Sequence, residues 1–486
     1  MSFDVSALIR QRLAGGGDAD QLHFDGRWRS WRWMAALDEA VAALAGDAPA
    51  IGLIARTRPQ HVALFAGSLA RRRIVSMIYS AQSAAGMADD IRRLRLPAIV
   101  ADPQDWVPET LNAALEAGSA AIAIEDLEDP ARAASLLLAR GSGGEADANP
   151  DVALELLSSG TTGPPKRVPL LWSTLNAATE DAANVYGAAN SIETPQVMTQ
   201  PLGNVTGIAY VVPPLAFGRR IVLLEKFEPR SWADAIRKHR PVRVSLPPAA
   251  IRMVLDAGIP REYLASLTAI GVGGGRVDGD VHERFETHYG IPILHAFGAT
   301  EFGGVVANWT ADLYRQWGAA KRGSPGRAST NVELRIVDQA TFEPLPVGDI
   351  GLLEAKAQRM GPDWLRTNDL ASIDADGFLF LHGRADGAIN RGGFKIVPDV
   401  VADALRAHPA VADAAVVGVD DQRLGQVPVA AVELVPGGAA DPEVLMAWAR
   451  ERLIAYQVPT EVRIVPVLPR NASLKISAPD VKALFA

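Results

Sequence analysis

Cysteine is absent from all 486 residues. That excludes disulfide frameworks, thiolate zinc sites, iron–sulfur clusters and a cysteine nucleophile, and it fits a cytoplasmic protein. Positive charge is in deficit: 48 lysines and arginines stand against 56 aspartates and glutamates, a formal net charge of −8. Phosphate contacts along a nucleic acid require the opposite balance, so no nucleic-acid partner is expected. Long apolar runs are missing too. The opening residues carry Asp4 and Arg10 and hold no run long enough for a secretory signal. The longest uncharged stretch, between Glu193 and Arg219, contains Pro195, Pro201, Pro213 and Pro214, which would interrupt a membrane-spanning helix. It reads as buried core, and no membrane partner is expected. The eight histidines form no metal-ligand cluster, and no repeat of fixed period occurs.

What is present is ordinary globular material, 48% hydrophobic and 21% charged. At about 150 residues per domain there is room for roughly two to four domains. Apolar residues recur at helical spacing in WMAALDEAVAAL (33–44) and HVALFAGSLARR (61–72), whereas AIGLIA (50–55) and RIVSMIYS (73–80) read as buried strands. RIVLLEKF (220–227) and VRVSLP (242–247) continue the alternation. The fold class expected is α/β, a large N-terminal domain of several subdomains with mostly parallel sheets. The piece GSGGEADANP (141–150) has the composition of a flexible surface loop. The last hundred residues differ. A hairpin-like stretch (378–396), a helix ended by Pro409, strands at 413–419, 427–435 and 461–468, and a helix at 442–453 make a small α+β unit. Gly383 and the charged residues up to Asp386 interrupt the apolar pattern, giving expected domains of 1–383 and 384–486.

The most informative stretch follows a strand-like run, Val152 to Leu157. It is Ser158, Ser159, Gly160, Thr161, Thr162, Gly163, Pro164, Pro165, Lys166. Glycines let successive backbone N–H groups converge on one anion, hydroxyls add donors and the lysine brings a full charge, so this composition suits a phosphate cradle. An exposed polar turn is the alternative. It is not a Walker loop, because two prolines precede the lysine and no serine or threonine follows it. GVGGGR (271–276) fails as a dinucleotide fingerprint at Arg276. HERFETH (282–288) sets its histidines six residues apart, on different sides of a helix, and reads as a solvated face.

With that cradle, the chain resembles the adenylate-forming superfamily of acyl- and aryl-CoA synthetases, adenylation domains and luciferase, with INRGGFKI and GSPGR (323–327) closest to the CoA ligases. The resemblance implies that Ser158 to Lys166 hold the β- and γ-phosphates of ATP. In HAFGATEFGG (295–304) it sets Phe297, with Gly298 beside it, against the adenine, Thr300 at the α-phosphate and Glu301 on Mg²⁺. It gives Asp369 of RTNDLA and Arg384 to the ribose, Asp386 to a hinge, Gly392 and Gly393 to the thiol acceptor, and Lys475 of PRNASLKIS to catalysis with Thr161, Lys166 and Glu301. The small domain is thereby expected to be mobile. Arg384 to Lys395 holds three basic residues and one acid, a local excess that suits an anion such as coenzyme A; a solvated charge cluster is the alternative.

The sequence departs from the family pattern at several places. Asn368 stands for glycine, Phe297 for tyrosine, Gly387 for a second hinge acid, and Asn471 and Leu474 for threonine and glycine around the lysine. The segment 199–218 resembles the acid-pocket stretch. Val205 stands where enzymes for α-amino acids place an aspartate, so an ammonium would go unpaired. Asn204 stands where CoA ligases often carry histidine, either as a pocket residue or as a structural hydrogen-bonder. Gly203, Ala209, Gly273, Ala296, Gly303 and Gly304 are small enough for a roomy apolar cavity, suited to an aromatic, alicyclic or fatty acid. The implied function is an ATP-dependent acid–thiol ligase making an acyl-AMP and passing the acyl group to CoA. The alternatives are an adenylation enzyme loading an acyl carrier protein, and a catalytically impaired adenylate-binding relative.

Overall fold

A computed structural model describes residues 3–141, 149–157, 167–186, 194–275, 277, 279–299, 302–385, 387–391, 394–471 and 474–486, by backbone alone at 183–186, 358 and 395. The cradle from Ser158 to Lys166, Thr300, Glu301, Asp386, Gly392, Gly393, Arg276 and most of the low-complexity piece lie outside them. The chain divides into two compact units, one of residues 1–159, 165–306 and 358–361, the other of 160–164, 307–357 and 362–486. The expected boundary at 383/384 falls inside the second of these.

The first unit is built on parallel sheets. Its largest has the strand order Ala134–Leu138, Ala120–Ile124, Ala98–Ala101, Ala50–Ala55, Ile74–Tyr79, Val152–Leu157, Arg167–Leu171. The four inner pairings are parallel and the two outer ones antiparallel. Every residue of Ala50–Ala55 is buried, as a strand covered on both faces requires. The two-residue alternation divides the strand: Ile51 and Leu53 join one core with Phe65, Val75 and Met77, while Ala50 and Ile54 join another with Ile78, Ile91 and Ala113. A second parallel group sets Arg243–Leu246, Ala269–Val272 and Ile293–Ala299 side by side. A third pairs Gln196–Met198, Ile221–Leu223 and Asp20–Phe24 in parallel.

Two local expectations change. Pro213 and Pro214 do not end a helix but lie inside one, Val205–Phe217, which stops at Gly218 with φ 74°. Pro213 removes the hydrogen bond that the Ala209 carbonyl would accept, and Ala209 is exposed, so water can serve that carbonyl instead. Among the described residues no helix is long and apolar enough to cross a membrane. The helix Gly279–Tyr289 is not a wholly solvated face either. His282, Phe285 and Tyr289 are buried, and His282 pairs with Glu286 at 3.0 Å, while Glu283, Arg284 and His288 face water. Among the described residues, no three His, Asp or Glu side chains group to hold a metal ion.

The second unit is mostly antiparallel. One sheet runs Val332–Val337, Gly351–Ala357, Leu365–Ile373, Leu379–Arg384. The other runs Phe394–Ile396, Ile389–Arg391, Gly425–Leu434, Val411–Asp421, with Glu461–Val465 parallel to Gly425–Leu434. On Val411–Asp421, Ala414 and Val416 pack with Val401, Leu405 and Leu445 of the helices Pro398–Arg406 and Pro442–Arg452, while Ala415 and Val417 pack with Leu468 and Val481. This is the α+β unit expected from the last hundred residues. GSPGR is tied instead to the first of these two sheets: Ser324 is buried, its hydroxyl donates to the Leu379 carbonyl at 2.7 Å, and its own carbonyl accepts from Trp309 Nε1 at 2.8 Å.

Candidate active site

In the first unit, Phe297 and Gly298 lie on the strand Ile293–Ala299, and Gly304 opens the strand Gly304–Asn308. Phe297 is half-buried and meets Phe302 edge-on, ring centroids 6.3 Å apart. A Cβ on Gly298 would fall 2.3 Å from the Gly304 carbonyl oxygen, so the backbones approach closely only because no side chain is there. Gly303 has φ 61°, and a Cβ on it would meet Thr174 Cγ2 at 2.1 Å. One functional neighbour escaped the sequence reading. Arg359 donates to the carbonyls of Phe302 (3.3 Å) and Val305 (2.6 Å) and to Asp181 (3.0 Å), pinning the segment after Glu301. It lies more than fifty residues further along the chain, outside every motif, and nothing in its local sequence marks it.

Of the residues named for the acid pocket, Gly273 and Ala296 are neighbours: a Cβ on Gly273 would lie 3.6 Å from the Ala296 carbonyl. Gly203 is packed near Ala55 and Tyr79. Asn204 caps the helix Val205–Phe217, its Oδ1 accepting the Gly207 N–H at 2.7 Å, the structural role open to it. Val205 is half-buried in the first turn and Ala209 exposed. Two cavities of about 510 and 580 Å³ open elsewhere in this unit, around His23 and His239 and around Gln60 and Asp102, and no residue of the expected acid pocket lines either.

The second unit brings together three expected residues distant in sequence. Asp369 and Arg384 face each other across antiparallel strands, in direct register and 3.7 Å apart as an ion pair. The strand of Arg384 bends at Gly383, whose φ of 110° and approach to Asp399 Oδ2 (2.7 Å from a would-be Cβ) demand glycine. Asn368, in place of the family's glycine, accepts the Ala385 N–H at 2.7 Å through its carbonyl, a bond indifferent to its side chain. Lys475 lies within the field of both. Its side chain keeps access to solvent, yet crowding by protein lowers its pKa from the ordinary lysine value, the positive Arg384 lowers it further, and Asp369 opposes. Two cations and one carboxylate therefore converge, and the mutual repulsion of the cations is what a bound anion would relieve. That donor set fits a nucleotide: a carboxylate and a guanidinium for ribose hydroxyls, an ammonium for phosphate.

The AMP-binding enzyme family model matches residues 9–360, and the AMP-binding enzyme C-terminal domain model matches residues 401–475. The peroxisomal OPC-8:0-CoA ligase 1 of Arabidopsis thaliana is 31% identical over 353 residues, 68% of this chain and 64% of its own length. The 2-succinylbenzoate–CoA ligase of Geobacillus kaustophilus is 30% identical over 353 residues, 69% of this chain and 70% of its own. The match thus spans less than two thirds of the Arabidopsis relative. Among solved structures, ATP-bound MatB from Rhodopseudomonas palustris gives a TM-score of 0.83 at 20% identity, covering 100% of this chain and 99% of that one. The o-succinylbenzoate coenzyme A synthetase of Bacillus subtilis with ATP and magnesium gives 0.77 at 22%, covering 98% and 99%. At these identities the structural likeness establishes the fold, and the sequence matches establish the kinship: the chain belongs to the AMP-binding enzyme family.

Proposed function

We propose that the chain is an AMP-forming acid–CoA ligase acting on an aromatic, alicyclic or fatty acid. The observation that carries this reading is the convergence of Asp369, Arg384 and Lys475 with one positive charge in excess. The relatives named above, both called CoA ligases, support it. In this reading the carboxylate attacks the α-phosphorus of ATP, releasing pyrophosphate, and a thiol then displaces AMP to leave a thioester. The first step needs no general base, since a carboxylic acid with a pKa of about 4 to 5 is already ionised at neutral pH. What the chain must do is align two anions that repel and meet the charge that grows on phosphate.

Lys475 is assigned to that growing charge, Asp369 and Arg384 to the ribose hydroxyls, and Phe297 with Gly298 to the adenine. Ser158 to Gly163 and Lys166 are assigned to the β- and γ-phosphates, Thr300 to the α-phosphate, and Gly392 and Gly393 to the thiol. Glu301 is assigned to Mg²⁺, which neutralises phosphate charge when bound. The division at 383/384 with a hinge near Asp386 belongs to the same reading. Coenzyme A is preferred to a carrier protein as acceptor because of the basic excess between Arg384 and Lys395. The deciding experiment is a pyrophosphate-release screen over carboxylic acids, with and without free CoA. Acid-dependent release followed by CoA consumption supports the ligase; release with no use of free CoA redirects it to a carrier protein; no release with any acid defeats the reading.

A further inference from the structure

Both residues that depart from the family pattern around Lys475 are committed in the turn that presents it. Leu474 has φ 59°, in the left-handed region that a leucine rarely adopts. Such a conformation persists only where the surroundings over-determine it, and here four hydrogen bonds do. The Leu474 N–H donates to the Asn471 carbonyl at 2.8 Å, and the Asn471 N–H to the Lys475 carbonyl at 2.8 Å. Asn471 Oδ1 accepts the Lys475 N–H at 3.1 Å, and the Leu474 carbonyl accepts from Arg470 Nη1 at 3.2 Å. Arg470 Nη2 is itself held by Asp413 Oδ2 at 2.5 Å, and the other oxygen of Asp413 takes Arg406 Nε at 2.9 Å.

Three of these bonds are available to any residues at 471 and 474, or depend on Arg470. The bond from the Lys475 N–H needs a side-chain acceptor at 471, here the Asn471 amide. We propose that Asn471 is a positioning residue for Lys475, required because Leu474 loads the turn with backbone strain that the Asn471 amide offsets. The proposal rests on the ligase reading for its kinetic consequence, though not for its geometry. Glycine at 474 would occupy the same φ without strain and would make the side-chain acceptor at 471 dispensable. The two substitutions are thus expected to be coupled rather than independent.

The test is a double-mutant cycle of Asn471→Ala and Leu474→Gly in the full chain, read in three ways. These are acid-dependent ATP–pyrophosphate exchange, thioester formation from preformed acyl-adenylate, and the Lys475 titration followed by NMR of ¹³C-methylated lysine, assigned with Lys475→Arg. Asn471→Ala alone should lower exchange about five- to tenfold, the effect of one lost hydrogen-bond acceptor. It should leave transfer from the preformed adenylate intact and move the Lys475 titration towards the ordinary lysine value. Adding Leu474→Gly should restore most of both. Equal losses in the two backgrounds, or an unmoved titration, overturn the proposal; so does an Asn471→Ala chain that fails to fold and is not rescued by Leu474→Gly. If the unaltered protein shows no exchange with any acid, the ligase reading fails, and the titration arm still decides the role of Asn471.

Discussion

Among single residues, the proposed chemistry depends most on Lys475. Lys475→Ala should reduce adenylation by ~10² or more, the size of losing one donor to a developing oxyanion, while thioester formation from preformed acyl-AMP is hardly touched. Separate assays of the two half-reactions check this, and equal damage to both would remove Lys475 from the first step. Its titration gives a second expectation. The folded pKa lies below that of the unfolded chain, so the folded protein carries a charging penalty in full below its own pKa. That penalty fades as pH rises from there to about 10.4, the unfolded value. Phosphate placed beside the ammonium reverses the shift, so ATP binding in this alkaline window should take up a proton. Calorimetry in two buffers of different ionisation heat measures that uptake, and Lys475→Ala should abolish it. The order of motifs that the chain shares with the family it resembles made candidates of Asp369, Arg384 and Lys475, and the structure sets the three near one another. That order could not show that Leu474 is left-handed, since a leucine at a φ > 0 position leaves no mark in composition. Nor could it show Arg359, whose partners are backbone carbonyls that any residues would offer.

At the scale of elements, legibility follows burial. Ala50–Ala55 was readable to the residue because a strand covered on both faces must be continuously apolar. The proline-bearing helix Val205–Phe217 was not, because proline ordinarily ends a helix, and here the apolar pattern runs on through Pro213 and Pro214. The buried side of Gly279–Tyr289 was hidden for a related reason: a histidine paired with a glutamate one turn away can be buried while looking polar in sequence. Close strand contacts carry the strongest demand of all. Gly298→Ala would set a methyl 2.3 Å from the Gly304 oxygen, a backbone atom with no rotamer to yield. The strands Ile293–Ala299 and Gly304–Asn308 must then part, at a cost of about 1–3 kcal/mol for an overpacked site. Urea unfolding of the full chain should show the lower midpoint. Because Phe297 precedes the displaced residue, KM for ATP should rise as well; a stable variant with unchanged KM would mean that the close approach serves neither purpose.

At the scale of the whole molecule, the two proposed half-reactions make demands on one sheet of the second unit. In sequence Gly392 and Gly393 fall between the strands Ile389–Arg391 and Phe394–Ile396, which lie at one edge of that sheet. The turn of Lys475 is tied through Arg470 to Asp413, on Val411–Asp421 at the other edge. Three strand spacings separate these edges, roughly 14 Å. A sheet packed on both faces by helices cannot fold over to bring both edges to one acyl–phosphate linkage. If Lys475 serves acyl-AMP formation and Gly392–Gly393 the thiol, the body that carries them must turn between the two steps, and Asp386 is the place proposed for that turn. Proline at that position fixes φ near −65° and withdraws an N–H, so Asp386→Pro should hold the body in one orientation. Acid-dependent pyrophosphate exchange should then survive while CoA consumption stops, and acyl-AMP should accumulate in stoichiometric amount on the protein. Rapid-quench analysis with labelled ATP reads all three quantities at once, and an unimpaired thioester step would show that the two edges reach their substrates without any rotation about residue 386.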